Sequence, residues 1–197
     1  MIDSIRAFLY QIALSFDLPI LDWIQANLTS EFLDNFMSHV THLGSAGSLI
    51  AIAVVLLIFP RTRKVGLGMG LAMAFGLVLC NITLKPLIAR IRPYDMQAEL
   101  GITIQLLIGE MHDFSFPSGH TIATFEAATV ALKHNKWIGI PAMILACIIA
   151  FSRLYLYVHY PTDVLFSVVF GILFGLLGNA IAQKTNLGAR KKGKYEA

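Results

Sequence analysis

Long apolar stretches separated by short polar segments run through most of the chain. A helix that crosses a bilayer needs about 20 largely apolar residues, and five stretches come close to this length. They are residues 35–60, 65–84, 114–132, 138–158 and 164–182. The stretch 114–132 is the weakest of the five because it contains His120 and Glu126. The pattern predicts an all-α fold, a polytopic membrane helix bundle with about five spanning helices.

The first 34 residues have a different pattern. Residues 5–16 are apolar but short, and Asp17, Pro19 and Asp22 interrupt the sequence that follows. No small-residue cleavage site follows the apolar run, which disfavours a signal peptide. We therefore expect residues 1–34 to form an interfacial amphipathic segment, with a sixth helix of the bundle as the alternative.

The composition agrees with a membrane protein. The chain has 197 residues, of which 56% are hydrophobic and 14% charged, and its mean hydropathy is +0.69. Soluble domains are about 45–50% apolar and about 25% charged, so a soluble multi-domain enzyme, a disordered chain and a coiled coil fit poorly. The length permits a single domain over residues 1–197. Nothing in the chain indicates a nucleic-acid partner, and its oligomeric state stays open.

The positive charges are unevenly distributed between the apolar stretches. If all five stretches cross the membrane, ten of the 15 Lys and Arg residues fall on one side. These ten are Arg61, Arg63, Lys64, Lys133, Lys136, Lys184, Arg190, Lys191, Lys192 and Lys194. Cytoplasmic segments carry such an excess, so this side, with the basic tail at 184–197, is predicted to be cytoplasmic. Without a crossing at 114–132 the same charges would be scattered over both sides.

Chemically useful residues gather at the opposite surface, where four of the predicted helix ends meet. Lys85, Arg92 and Arg153 offer up to three positive charges with many N–H donors, which suits a phosphoryl group. Ser118 and Gly119 stand where a helix begins, and the free backbone N–H groups there favour an anion. Singly, such an arginine is usually a snorkelling anchor, but together these residues indicate an anion site that faces away from the cytoplasm.

Two histidines and an aspartate complete this group. His159 and Asp163 are four residues apart, one turn along a helix that Pro161 helps to start. Asp163 is therefore able to orient one imidazole nitrogen and leave the other as a nucleophile. His120 remains as a general acid for the leaving oxygen.

Three motifs carry a family resemblance. Lys85 to Pro93 reads Lys-x6-Arg-Pro, residues 117–120 read Pro-Ser-Gly-His, and Ser152 to Asp163 reads Ser-Arg-x5-His-x3-Asp. This signature, complete and in order over residues 85–163, resembles the type 2 phosphatidic acid phosphatase (PAP2) superfamily of membrane lipid phosphatases. The first forty residues contribute nothing to the match.

The resemblance implies a role for each of the eight candidate residues. His159 would attack phosphorus and become a phosphohistidine, Asp163 would orient it, and His120 would protonate the leaving oxygen. The phosphoryl oxygens would be held by Lys85, Arg92, Ser118, the Gly119 N–H and Arg153. Fixed positive charge would stabilise the transition state, so we predict metal-independent catalysis with no cofactor.

The predicted substrate is a lipid phosphate or pyrophosphate in the bilayer of a bacterial plasma membrane, hydrolysed on its outer face. Undecaprenyl pyrophosphate, converted to undecaprenyl phosphate, fits best. Phosphatidylglycerol phosphate, phosphatidic acid and a phosphotransferase reaction are the alternatives within this chemistry. A non-enzymatic lipid or anion carrier is an alternative of another class, although it gives no reason for the His159–Asp163 spacing. A vanadium-dependent haloperoxidase is disfavoured by the composition.

Five other residues receive weaker predictions. Cys80 and Cys147 are expected to be buried as small hydrophobic side chains. Arg90 is expected to face a lipid headgroup or solvent, and Asp113 to line the entrance of the site. Glu126 is either a functional group or a structural partner inside the bundle.

Overall fold

Helices make up most of residues 2–185, the part of the chain that the computed structural model describes, and this part contains no strand. The α-helices are α1 (Ile2–Ile12), α2 (Leu18–Leu28), α3 (Glu31–Val40), α4 (Ala46–Ile58), α5 (Arg63–Phe75), α6 (Lys85–Ile88), α7 (Pro93–Glu99), α8 (Gly119–His134), α9 (Lys136–Tyr155) and α10 (Pro161–Gln183). A π-helical segment, Ala13–Asp17, joins α1 to α2, and another, Gly76–Leu84, joins α5 to α6. The predicted all-α fold is confirmed.

Several helices are long and apolar enough to cross a membrane. Within the described residues there are four by length and composition: Ile2–Leu28, Arg63–Glu99, Lys136–Tyr155 and Pro161–Gln183. The last three include most of the predicted stretches 65–84, 138–158 and 164–182. A fifth candidate consists of α3 and α4, which meet at an angle of 48°.

The stretch 35–60, predicted to cross the membrane, is bent rather than one continuous helix. A single 3-10 turn, Thr41–Gly44, separates α3 from α4. Ser45 then caps α4, because its hydroxyl accepts a hydrogen bond from the Ser48 N–H. Gly44 permits a close approach to α9 at this bend, since a Cβ there would lie 2.6 Å from a methyl group of Ile149.

The weakest predicted crossing corresponds to the central helix of the bundle. It begins at Gly119 with Ser118 as its N-cap, in agreement with the prediction that a helix opens at these two residues, and residues 114–117 lie in the loop before it. Every residue from Thr121 to Val130 is buried, since α8 packs against α4, α5, α9 and α10. A helix surrounded by protein does not need an apolar surface on all sides, which explains why Glu126 is tolerated there.

Successive long helices of the bundle run in opposite directions, so the start of one lies beside the end of another. Lys64 Nζ donates to the Gln183 carbonyl at 3.1 Å, so the start of α5 lies beside the end of α10. A Cβ on Gly68 would lie 3.1 Å from Val130, which places the end of α8 there too. Six of the ten cations predicted to be cytoplasmic lie at this end: Arg61, Arg63, Lys64, Lys133, Lys136 and Lys184. The other four, at 190–194, and residues 186–197 of the predicted tail lie outside the described residues.

The segments α1, Ala13–Asp17 and α2 form one continuous helix, Ile2–Leu28, called here the N-terminal helix. It lies across the other end of the bundle. Arg6, near its start, donates to the carbonyls of Leu87 and Ile88 at 2.9 and 3.0 Å. Gln25, near its other end, donates to the Tyr155 carbonyl at 2.7 Å. Both partners lie at the end of the bundle where α6 and α9 finish, so this helix does not run beside the others along the bundle axis. Such a course agrees with the interfacial placement of residues 1–34, which stays a prediction.

The prediction that both cysteines are buried is right for Cys80 and wrong for Cys147, which is exposed. Cys147 lies on the outer side of α9 together with Ile140 and Ile144, whose side chains are also exposed. An apolar neighbourhood in the sequence does not distinguish a side chain that faces lipid from one that faces protein.

Glycine contacts hold α10 close to its neighbours. A Cβ on Gly171 or Gly175 would lie 2.7 Å from an α8 side-chain atom, and one on Gly178 would lie 2.4 Å from the Gly68 carbonyl oxygen of α5. Small residues at such spacing let transmembrane helices approach closely.

We expect Gly178→Ala to destabilise the bundle, because the new methyl group would force the backbones of α5 and α10 apart. Overpacking of this kind costs about 1–3 kcal/mol, so the thermal unfolding temperature in detergent should fall. Gly47→Ala is the matched control, since a Cβ there meets nothing within 4 Å. Equal unfolding temperatures for the two variants would contradict the close contact.

Candidate active site

A single cavity brings most of the predicted site residues together. Its volume is about 660 Å³. Six of the eight candidates line it: Lys85, Arg92, Gly119, His120, Arg153 and His159. Ser118 and Asp163 do not line the cavity and are fully buried. Four separate parts of the sequence therefore converge at the end of the bundle that also carries the N-terminal helix.

The same cavity continues between α4 and α5 as an apolar cleft. Its walls are formed on one side by Ala46, Ile50, Ala53, Val54 and Leu57 and on the other by Gly70, Met73, Ala74, Gly76 and Leu77. The cavity thus has a cationic end and an apolar end. This arrangement suits an amphipathic ligand with an anionic head.

Arg92 and Arg153 are buried, and each donates hydrogen bonds to neutral acceptors. Arg92 donates to the Val158 carbonyl at 2.6 Å and to the Asp113 carbonyl at 2.9 Å. Arg153 is 1% exposed, and one of its terminal nitrogens donates to the Thr41 hydroxyl at 2.7 Å. Within residues 2–185 its Nε has no hydrogen-bond partner and no carboxylate forms an ion pair with it. A buried cation without a counter-charge is costly, so this position favours an incoming anion.

Asp113 bridges two of the cations that are predicted to bind phosphate. Lys85 donates to one oxygen of its carboxylate and Arg92 to the other. Burial raises the pKa of the Asp113 carboxyl, but these two hydrogen bonds and the two positive charges outweigh it and lower the pKa to about 2. The Asp113 side chain is 55% exposed and belongs to the loop before α8. Its carboxylate lies where two oxygens of a bound phosphoryl group would interact with the same cations.

The N-terminus of α8 supplies backbone donors to the cavity. Gly119 opens the helix, and a Cβ there would lie 3.3 Å from the Asn81 side-chain oxygen. No side chain caps this helix, so its first N–H groups are available to an anion. The Ser118 hydroxyl instead pairs with the Thr121 hydroxyl at 3.0 Å. Ser118 does not line the cavity, and its contact with phosphate stays a prediction.

His159 lies between α9 and α10 with 2% of its surface exposed. Its Nδ1 lies 3.7 Å from Asp163 Oδ2, which is beyond hydrogen-bonding distance, and finds no partner among the described residues. Burial, together with the positive charges of Arg92, Arg153 and Lys85, holds the pKa of His159 well below its usual value. The imidazole is therefore neutral at pH 7, the form that can act as a nucleophile.

Asp163 accepts hydrogen bonds mainly from residues that the three motifs leave unspecified. Arg90 donates to its Oδ1 at 2.5 Å. The Ser115 hydroxyl and the Tyr160 N–H donate to its Oδ2 at 2.5 and 3.1 Å. The expectation that Arg90 faces a headgroup or solvent is wrong, because Arg90 is buried and paired with Asp163 and Asp17.

Arg90, Asp17 and Ser115 were not connected with Asp163 from the sequence, for different reasons. Arg90 lies inside the first motif, and a second arginine two residues before Arg92 in a chain so poor in charge was a usable signal. Asp17 lies more than seventy residues away in the sequence, and Ser115 is one of many serines. No local pattern connects either of them with Asp163.

Glu126 lines the apolar part of the cavity. It is 1% exposed, and its Oε1 has no hydrogen-bond partner within residues 2–185. Gly76 leaves room for this carboxyl group, since a Cβ there would lie 2.3 Å from Oε1. Over the described part of the chain, no group of three or more His, Cys, Asp or Glu side chains is arranged to hold a metal ion.

Comparisons with known proteins agree with this geometry. The profile of the PAP2 superfamily matches residues 65–187. Undecaprenyl-diphosphatase from Sulfolobus acidocaldarius is 32% identical over 71% of this chain and 66% of its own length. Undecaprenyl-diphosphatase BcrC from Bacillus subtilis is 34% identical over 74% of this chain and 72% of its own length. The crystal structure of a transmembrane PAP2 type phosphatidylglycerolphosphate phosphatase from Bacillus subtilis superimposes with a TM-score of 0.72 at 26% identity, covering 99% of this chain and 97% of that one.

We expect Asp113→Asn to strengthen the binding of phosphate, because the carboxylate competes with it for Lys85 and Arg92. Loss of a half-exposed ion pair corresponds to about 0.5–1 kcal/mol, so the inhibition constant of inorganic phosphate should fall about two- to fivefold. Glu110→Gln, an exposed carboxylate of the same loop, is the control and should change little. Weaker inhibition in Asp113→Asn would mean that Asp113 holds the two cations in place instead.

Proposed function

Since the chain belongs to the PAP2 superfamily and is a phosphoric ester hydrolase, we propose that it is a lipid phosphatase that converts undecaprenyl pyrophosphate to undecaprenyl phosphate. The observation that carries this proposal is the cavity with a cationic end and an apolar cleft between α4 and α5. Two relatives named undecaprenyl-diphosphatase support the choice of lipid.

The reaction begins with attack on phosphorus by His159. Its Nδ1 faces Asp163, which leaves Nε2 as the attacking atom. A P–N bond forms while the bond between phosphorus and the leaving oxygen breaks, and His120 gives that oxygen a proton. A water molecule then attacks the phosphohistidine, the P–N bond breaks, and His120 accepts the proton of that water. Free phosphate and neutral His159 result.

Fixed positive charge stabilises both transition states. Lys85, Arg92 and Arg153 converge on one end of the cavity, and the N-terminus of α8 adds backbone donors at Gly119. Positioning and charge are the main requirements of phosphoryl transfer, and these residues meet them from the protein alone. The proposed catalysis is metal-independent.

Phosphatidylglycerol phosphate is the second candidate substrate. The solved phosphatase that matches over 99% of this chain is named for that lipid. Unlike a prenyl chain, this lipid has a free hydroxyl group near its phosphate. The oxygens Asn81 Oδ1 and Glu126 Oε1 have no partner among the described residues and belong to side chains that line the cavity, so they offer acceptors for such a donor.

The proposed orientation places the site on the outer face of the plasma membrane. Six cations lie at the opposite end of the bundle, and an excess of Lys and Arg marks the cytoplasmic side. A lipid in the outer leaflet would then enter the cleft sideways between α4 and α5.

The test of substrate and nucleophile is phosphate release by the purified protein in the presence of EDTA. We expect the highest kcat/KM for undecaprenyl pyrophosphate in a panel with phosphatidylglycerol phosphate and phosphatidic acid. His159→Ala should lower turnover at least about 10³-fold, because it removes the nucleophile, and should abolish an acid-labile phosphoprotein seen in the wild type. His134→Ala, an exposed histidine at the far end of α8, should leave both unchanged.

Three results would contradict parts of this proposal. Normal turnover by His159→Ala would overturn the nucleophile, and loss of wild-type activity in EDTA would overturn metal independence. A higher kcat/KM for phosphatidylglycerol phosphate would favour the second candidate.

Orientation is tested by cysteine labelling in a Cys147→Ala background, because Cys147 is exposed. We expect a membrane-impermeant maleimide to label Glu110→Cys in intact cells and to label Lys133→Cys only after permeabilisation. The two residues are exposed at opposite ends of the bundle. Labelling of both from the same side would contradict the proposed topology.

A further inference from the structure

A buried chain of charged side chains links the N-terminal helix to Asp163. Arg90 donates to Asp17 Oδ2 at 2.6 Å and to Asp163 Oδ1 at 2.5 Å. Both aspartates are fully buried and Arg90 is 7% exposed. We propose that Arg90 and Asp17 are positioning residues that set the orientation and the effective charge of Asp163 beside His159. The proposal rests on the proposed role of His159 as nucleophile.

Arg90 is fixed from several sides. It also donates to the Thr162 hydroxyl at 2.9 Å and to the Leu9 carbonyl at 3.3 Å. Its guanidinium stacks on the Tyr160 ring at 3.8 Å from the centroid, a cation–π contact. These contacts come from α1 and from the start of α10, so Arg90 holds the two elements together at Asp163.

Asp17 fixes the residue next to Asp163. The Thr162 N–H donates to Asp17 Oδ1 at 3.0 Å, and the Thr162 hydroxyl donates to Oδ2 at 2.7 Å. Asp17 lies in the π-helical segment Ala13–Asp17, and π-helical turns often occur at functional sites. Asp17 thus acts on the first turn of α10 through the backbone as well as through Arg90.

Stability alone does not account for this arrangement. A buried ion pair often stabilises a protein no more than well-packed apolar side chains of similar size. Here two carboxylates share one guanidinium, so the cluster of Asp17, Arg90 and Asp163 has a net charge of −1. That charge is placed 3.7 Å from the Nδ1 of His159.

The net charge of the cluster matters because His159 gains positive charge when its ring is phosphorylated. The groups that face His159 from the surrounding elements are mostly cationic or neutral: Lys85, Arg92, His120 and Arg153. Two carboxylates are also nearby: Asp113 lines the same cavity and is paired with Lys85 and Arg92, and Asp163 lies 3.7 Å from the reacting ring. The positive charge of Arg90 reduces the electrostatic effect of Asp163 on His159, and the negative charge of Asp17 offsets part of that reduction.

This arrangement gives opposite predictions for the two residues. Arg90→Gln changes the cluster charge from −1 to −2, which raises the pKa of His159, whereas Asp17→Asn changes it to 0 and lowers that pKa. A unit charge about 10 Å away at an effective dielectric of about 20 shifts a pKa by about 1 unit. Since attack needs neutral His159, activity is lost as the pH falls through this pKa. In the pH profile of kcat/KM, the acid limb should move to higher pH in Arg90→Gln and to lower pH in Asp17→Asn, by about 0.5–1 pH unit each.

Further variants separate positioning from a structural role. The double variant Asp17→Asn/Arg90→Gln restores a cluster charge of −1 and should return the limb to its wild-type position. Arg90→Lys should do the same, with kcat reduced more than KM is raised. Arg6→Gln is the matched control: Arg6 also ties the N-terminal helix to the bundle, through Leu87 and Ile88, but does not touch Asp163. It should lower the unfolding temperature without moving the limb.

The His159 pKa is also measured directly, by NMR titration of ¹³C-labelled histidine with His159→Ala for assignment. Opposite shifts in the two single variants support the proposal even if the preferred lipid differs from undecaprenyl pyrophosphate. Unchanged pKa values and unchanged acid limbs in folded Asp17→Asn and Arg90→Gln would overturn it. Failure of the proposed function gives a different result: His159 of the wild type would still titrate as expected, but the protein would release no phosphate from any lipid of the panel.

Discussion

A charge inside a mostly lipid-facing molecule needs either water or a protein partner, because hydrocarbon offers neither hydration nor a counter-charge. The described part of this chain meets the requirement in two ways. The cations at one end of the bundle project from helix termini, where they reach water. At the other end Arg90, Arg92, Arg153, Asp17 and Asp163 are buried, and protein encloses them. Residues outside the three motifs provide much of that enclosure.

The N-terminal helix is part of this enclosure. Leu18, Leu21 and Ile24 pack on the buried tyrosines of the loop between α9 and α10, and Asp17 supplies a counter-charge to Arg90. Beneath it, the glycines of α10 bring this helix against α8 and α5. The site residues therefore lie at the ends of rigid, closely packed helices, and such support keeps catalytic groups in place.

The sequence predicted the parts of this architecture that depend on local pattern. Helix positions followed from the length of apolar stretches, and six of the eight residues that the motifs predicted line one cavity. The bend at 41–45 did not follow from the apolar pattern. The exposure of Cys147 did not follow either, because a helix that is apolar all round does not show which face meets lipid. The pairing of Arg90 with Asp17 depends on tertiary structure, since 73 residues separate them. The start of α8 at Gly119 did follow, from the Pro-Ser-Gly sequence that marks a helix N-terminus.

The proposed function assigns phosphate recognition and lipid recognition to different parts of the molecule. The cations, the α8 N-terminus and the two histidines all belong to residues 85–163, and each would interact with groups common to every lipid phosphate. The apolar walls of the cleft come from α4, from the end of α5 and from the start of the π-helical segment Gly76–Leu84, all of which precede the first motif. Because apolar contacts scale with the area they bury, the proposed function implies that the shape of this cleft would decide which chains fit. Lipid selectivity would then depend on the helices that form the cleft, and the three motifs would determine that the bond broken is one to phosphorus.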